Sequence, residues 1–212
     1  MAQALGYTLR MLSEKQFRER TKVELREIGK QVASLATDQD VYRKLESEVI
    51  ARNPRLRDSR GAFLRMLRGA YTDAMVVRVL RLLDPESPGL SLPRVLSQIG
   101  KYPELLHDKA GDREFARECK ALDTQARNLR AVVDSHFASH ERTPAALSRM
   151  HRALDEALDT IISTLKTYYW IVAGGHLDLE PSYTEDPLAI FRFAWLQAGE
   201  ITASRRSATK PE

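Results

Sequence analysis

Three side chains on one stretch of this chain have the chemistry to act on a phosphodiester: Arg130, His136 and His140. They stand as Arg-x5-His followed by His-x3-His. Arginine presents a planar fork of donors that matches a phosphate. A histidine that titrates near neutrality takes a proton from a ribose 2′-hydroxyl, or gives one to a leaving oxygen. Together they would suffice for RNA cleavage without a metal. Asp134 is spaced to orient a ring nitrogen or to pair with Arg130 one turn away. Each of these residues also has a structural reading. A histidine on an apolar helix face is commonly a core residue with a satisfied ring nitrogen, and Arg130 with Asp134 a surface pair. His-x3-His also projects two rings from one helix face, as a zinc site does. No glutamate takes the catalytic place of His-Glu-x-x-His and no third ligand is evident, so no metal and no cofactor is assigned.

These residues need a helix to carry them. From about Asp112 to His140, Phe115, Cys119, Leu122, Ala126, Leu129 and Val133 recur with the period of one helix face, and the same stripe ends in the two histidines. Both histidines lie near the C-terminal end, where the helix dipole favours their protonated form. Thr143 and Pro144 then restart the chain as N-cap and first helical residue. The next stripe runs Leu147, Met150, Leu154, Leu158, Ile161, Leu165, Tyr168 and Val172, and Gly174-Gly175 closes it. Two long helices joined by a few residues run antiparallel.

Upstream, Ser13 to Gln16 has the form of a capping box opening a helix with Phe17, Leu25, Ile28, Val32 and Leu35 on one face. Thr37-Asp38 reads as a break or new N-cap, and Val41, Leu45 and Val49 continue a weaker helix to Asn53-Pro54. Asp58 or Ser59 caps a central helix. Its stripe is Phe63, Leu67, Ala70, Ala74 and Val77, broadened by Met66, Tyr71, Val76, Leu80 and Leu83. After a loop from Asp84-Pro85, Ser91 starts a short helix with Leu92, Val95, Leu96 and Ile99. Alternating strand patterns are absent. The expected fold is all-α, a helical bundle built on a long antiparallel helix pair. The expected organisation is N-terminal helices over 1–57, the bundle over 58–201 and a disordered tail over 202–212.

With 33 Lys and Arg against 29 Asp and Glu, the net charge is +4, scattered rather than gathered in a tail. That is compatible with a nucleic-acid partner without requiring one. Arg205-Arg206 in the tail is more readily solvated than bound to phosphate. The single cysteine, Cys119, has no internal disulfide partner and reads as a small buried hydrophobe. No window has the ~20 apolar residues a bilayer requires, and the start of the chain lacks the apolar run of a signal peptide. The expectation is a soluble cytoplasmic protein with no membrane partner. No phosphate-cradling glycine loop or Gly-x-Ser-x-Gly is present. Tyr168, Tyr169 and Trp170 could stack bases, but at a helix end such residues more often anchor packing.

The run RNLRAVVDSHFASH, Arg127 to His140, resembles the signature of the HEPN superfamily, in particular its abortive-infection branch. The stretch AYTDAMVVRVLRLLDPESPGLSLPRVL is similar to that branch too, with a central helix ending in leucine-aspartate before a loop and a Ser-Leu helix start. The resemblance covers about Ala62 to Gly174. It implies an all-α bundle, usually dimeric, and for many members a metal-independent ribonuclease of a phage-defence or toxin–antitoxin system, with Arg-x4–6-His motifs meeting across a two-fold axis. For this chain it implies Arg130, His136 and His140 as catalytic residues, an RNA substrate, a homodimer and a cognate antitoxin protein. The pattern departs from the family in two places. Ala131 stands where a polar residue usually follows the arginine. Laying Phe137 to His140 on the family's ending leaves no arginine at the expected position between Val133 and Ser135. Arg130 then serves from about one turn earlier, or His136 takes the histidine role. If neither holds, the chain is a catalytically degenerate HEPN-like module that binds a protein or nucleotide partner.

Overall fold

The structure, a computed structural model, describes residues 2–52, 62–102, 112–139 and 143–192, and among these the helical periodicity of the sequence becomes five α-helices. They are α1 (Ala2–Lys44), α2 (Ala62–Leu83), α3 (Leu92–Ile99), α4 (Asp112–Ser139) and α5 (Pro144–Ala173). No strand occurs among the described residues, and the fold is all-α. The expectations for the tail over 202–212, the Asn53-Pro54 stop and the Asp58 or Ser59 cap lie outside the described residues.

The chain divides into two compact units. The first comprises Met1–Thr37 with Arg60–Pro181, the second Asp38–Ser59 with Ser182–Glu212. In the first unit, α4 and α5 make the most extensive contact between any two helices. Near the start of α4 the ring of Phe115 meets that of Tyr168, near the end of α5, edge to face at 5.7 Å. At the other end of α4, His136 shares a cleft with Ala146 in the first turn of α5. The two helices therefore run past each other in opposite directions. The ends of α5 are set as its sequence suggests. The Thr143 side chain accepts a hydrogen bond from the Ala146 N–H at 3.2 Å. At the other end Gly174 takes the left-handed conformation, φ 67°, and its N–H reaches the Trp170 carbonyl.

The buried stripe of α4 (Leu122, Ala126, Leu129 and Val133) packs into one core with Leu154, Leu158, Ile161 and Leu165 of α5. Leu25, Ile28, Val32 and Leu35 of α1 join the same core. All four apolar side chains of α3 are buried, which is how a helix of two turns is held at all. Each such aliphatic side chain contributes about 1.5–3 kcal/mol on burial.

Two expectations are corrected. The helix α1 is continuous from Ala2 to Lys44, so Ser13 does not begin it and Thr37-Asp38 does not break it. The Thr37 hydroxyl bonds back to the Ala33 carbonyl at 2.9 Å, the mid-helix alternative open to a residue that also suits a cap. Beyond Lys44 the helix widens to a π-helical turn over Leu45–Ile50, closed by the Ala51 N–H on the Glu46 carbonyl at 2.9 Å.

The second correction concerns the phase of α2. Its buried face is Leu64, Thr72, Met75, Val76, Val79, Leu82 and Leu83, about 150° away from the stripe through Leu67, Ala70, Ala74 and Val77. Val77 is 66% exposed, whereas Val79 is fully buried. The helix is apolar around most of its circumference, so periodicity alone does not select a face. Thr72 is buried on this face with its hydroxyl satisfied twice, by the Arg68 carbonyl at 2.8 Å and by His151 Nε2 at 3.0 Å.

In the second unit, the Tyr183 hydroxyl donates to the Asp40 carboxylate. Lys44 Nζ lies 2.8 Å from the same carboxylate and 4.6 Å from the centre of the Tyr183 ring.

Candidate functional site

The facing ends of α4 and α5 enclose an open cleft of about 190 Å³, lined by Ala131, Val132, Ser135 and His136 of α4 and by Ala146 and Arg149 of α5. Small residues on both helices leave the space. His136 is half-buried, with its Nδ1 atom sealed from solvent. Arg149 is exposed and stands in the second turn of α5. The cleft is thus lined by a histidine, an arginine and a serine, beside the N-terminal end of α5, where the helix dipole favours an anion.

Of the three residues singled out in the sequence, His136 lines the cleft, Arg130 does not, and His140 lies outside the described residues. Arg130 and His136 stand six positions apart, which turns them about 120° from each other on the helix and roughly 9 Å along it. Arg130 reaches instead toward the loop after α2, where its Nη2 is 3.8 Å from Asp84 Oδ1. Both side chains of that pair are substantially exposed, so its contribution is about 1 kcal/mol or less. Asp84, rather than Asp134, is the carboxylate the structure pairs with Arg130.

Arg149 is the residue that sequence reasoning missed. The signal was the register of an antiparallel pair, which sets the second turn of α5 against the last turns of α4. Cys119 is half-buried, and burial followed by the neighbouring Glu118 carboxylate pushes its thiol above the usual range, as suits a packing residue and not a nucleophile. Tyr168 and Tyr169 are buried and Trp170 is 41% exposed, so only the last presents a ring to solvent. Among the described residues no three His, Cys, Asp or Glu side chains come together as a metal site, and no helix is long and apolar enough to cross a membrane.

Comparisons of the chain with protein-family models, curated proteins and solved structures found no match.

Proposed function

We propose that this chain is a HEPN-like protein that holds an RNA phosphodiester in the α4–α5 cleft and cleaves it without a metal. The observation that carries the reading is that His136 and Arg149 line one cleft at the N-terminal end of α5. Arg149 takes the phosphate-holding role first considered for Arg130. His136 removes the proton of the ribose 2′-hydroxyl, the oxygen attacks phosphorus and the bond to the 5′ oxygen breaks. His140, four residues on in the sequence, is assigned the proton for the leaving oxygen. The products carry a 2′,3′-cyclic phosphate and a 5′-hydroxyl, and the guanidinium offsets the charge that builds on the phosphoryl oxygens. Both groups come from one chain, so a second copy is not needed to complete the cleft. The resemblance of Arg127 to His140 to the HEPN signature supports a cytoplasmic setting of phage defence or toxin and antitoxin, with a protein antitoxin as partner.

One observation favours a second reading. Arg130, the arginine of the motif, is directed to Asp84 and away from the cleft. A degenerate HEPN-like module would keep the basic cleft to bind a nucleotide or a protein and would not cleave.

Purified His136→Ala, His140→Ala and Arg149→Ala proteins distinguish the two when cleavage of a single-stranded RNA, RNA affinity and melting temperature are measured on each. The nuclease reading expects each variant to lose about a hundredfold or more in cleavage rate at unchanged melting temperature, with no effect of chelators. The binding reading expects no cleavage by the wild type, and weaker RNA binding for Arg149→Ala. Wild-type protein that neither binds nor cuts RNA overturns the nuclease reading and, of the binding reading, leaves only a protein partner.

A further inference from the structure

The outward face of α2 carries a group of exposed apolar side chains. Val77 and Met66 are 66% and 61% exposed, the largest values among the exposed large hydrophobic side chains. Ala70 and Ala74 lie between them on the same face and are exposed as well. The row Asp73, Val77, Arg81 follows the four-residue ridge of the helix, and the row Met66, Ala70, Ala74 forms the ridge beside it, shallow where the alanines stand.

Asp73 and Arg81 are exposed, and among the described residues neither has an ion-pair or hydrogen-bond partner. Eight residues apart, they stand roughly 12 Å from each other along the helix, too far to meet. Arg81 is directed over the following loop. A Cβ at Gly89 would stand 2.9 Å from its guanidinium, so a residue without a side chain there leaves it room.

We propose that this face is a homodimer interface, in which α2 packs antiparallel against α2 of a second copy with the two-fold axis beside Val77. The charge pattern selects the partner. Antiparallel pairing about Val77 sets Asp73 of each chain opposite Arg81 of the other, so the same two charges are satisfied twice by symmetry. A self-complementary surface of this kind is what an isologous contact requires. Two ridges of this type interlock at the crossing angle common for helices in globular proteins, and the alanines let the backbones approach. The interface does not depend on the chemistry of the α4–α5 cleft, and its test reads mass and not RNA.

The experiment is sedimentation velocity on the full chain at micromolar concentration, with melting temperature and helicity measured on every variant. Wild type should sediment as a dimer. Asp73→Arg and Arg81→Asp, each alone, set like charges opposite each other at both contacts, and each should weaken the dimer on the order of tenfold or more at unchanged melting temperature. An equimolar mixture of the two variants should dimerise again. In the mixed pair the two substituted positions face each other with opposite charge, and so do the native Arg81 of one chain and the native Asp73 of the other. Val77→Glu should weaken the dimer as well. A wild type that is monomeric at about 100 µM, where a specific contact of this kind should be populated, overturns the proposal and leaves the face to a different protein. Single variants as dimeric as wild type, or a mixture that stays monomeric, overturn it equally.

Discussion

Thr72 Oγ1 and His151 Nε2 lie 3.0 Å apart between α2 and α5, and the hydroxyl's own hydrogen is already given to the Arg68 carbonyl at 2.8 Å. The hydroxyl can therefore only accept from the ring, so His151 carries a hydrogen on Nε2. Thr72→Val keeps the shape and removes the acceptor, which leaves a half-buried N–H to be satisfied elsewhere. The expected loss is about 1–2 kcal/mol in chemical unfolding. Thr72→Ser, which keeps the hydroxyl, should lose clearly less; equal losses in the two variants would contradict the assignment.

Tyr168 is fully buried, and its hydroxyl faces the Glu118 carboxylate, whose Oε2 is also sealed from solvent. Burial first, and then the negative charge of the nearby Glu118 carboxylate, push the phenol far above its ordinary value of 10.0. The sign follows from linkage. In the unfolded chain the phenol ionises near pH 10, and in the folded chain it stays neutral. The stability it contributes is complete below that pH and is lost as pH rises past it. Urea unfolding from about pH 8 to about pH 11, which brackets the unfolded phenol, should show a steeper loss for wild type than for Tyr168→Phe. Parallel profiles for the two proteins would refute the coupling.

The phase of α2 is checked by two neighbouring valines. Val79 is fully buried and Val77 is 66% exposed. Val79→Ala should cost about 2 kcal/mol through lost contacts and a cavity. Val77→Ala should change the stability of the monomeric fold by under about 0.5 kcal/mol. The reverse order would restore the stripe through Ala70, Ala74 and Val77 as the core face.

Arg130→Ala offers a test of where the motif arginine works. With its head at Asp84 and outside the cleft, the substitution should change RNA cleavage by no more than a few-fold and stability by about 1 kcal/mol or less. Asp84→Ala should give a similar loss, and the double variant should lose less than the sum. A hundredfold fall in cleavage for Arg130→Ala alone would return that arginine to the site and remove Arg149 from it.

What was legible in the sequence depended on how one-sided each helix is. In α4 and α5 the apolar residues occupy a single face, and Leu122, Leu129, Leu154 and Leu165 are buried where periodicity set them. Thr143 and Gly174 were readable because a cap hydroxyl and a left-handed glycine act locally. The face of α2 was not readable, because apolar residues surround it and the choice falls to the elements packed on it. Thr37 was ambiguous for a related reason: its hydroxyl serves equally at a helix start or bonded back within a turn. Arg149 escaped notice because its nearness to His136 is a property of two helices in register, and neither helix alone displays it.

The unbroken run of α1 has a bearing on how the second unit forms. Ala2–Lys44 passes through Thr37, the last residue of the first unit's opening segment, and Asp38, the first of the second unit. Starting a helix is its costly step, since several residues are ordered for the first hydrogen bond, and extension then adds one bond for each residue ordered. The segment from Asp38 to Lys44 is spared that initiation. Within the second unit the same helix sets Asp40 and Lys44 one turn apart, so that the carboxylate and the ammonium both meet Tyr183.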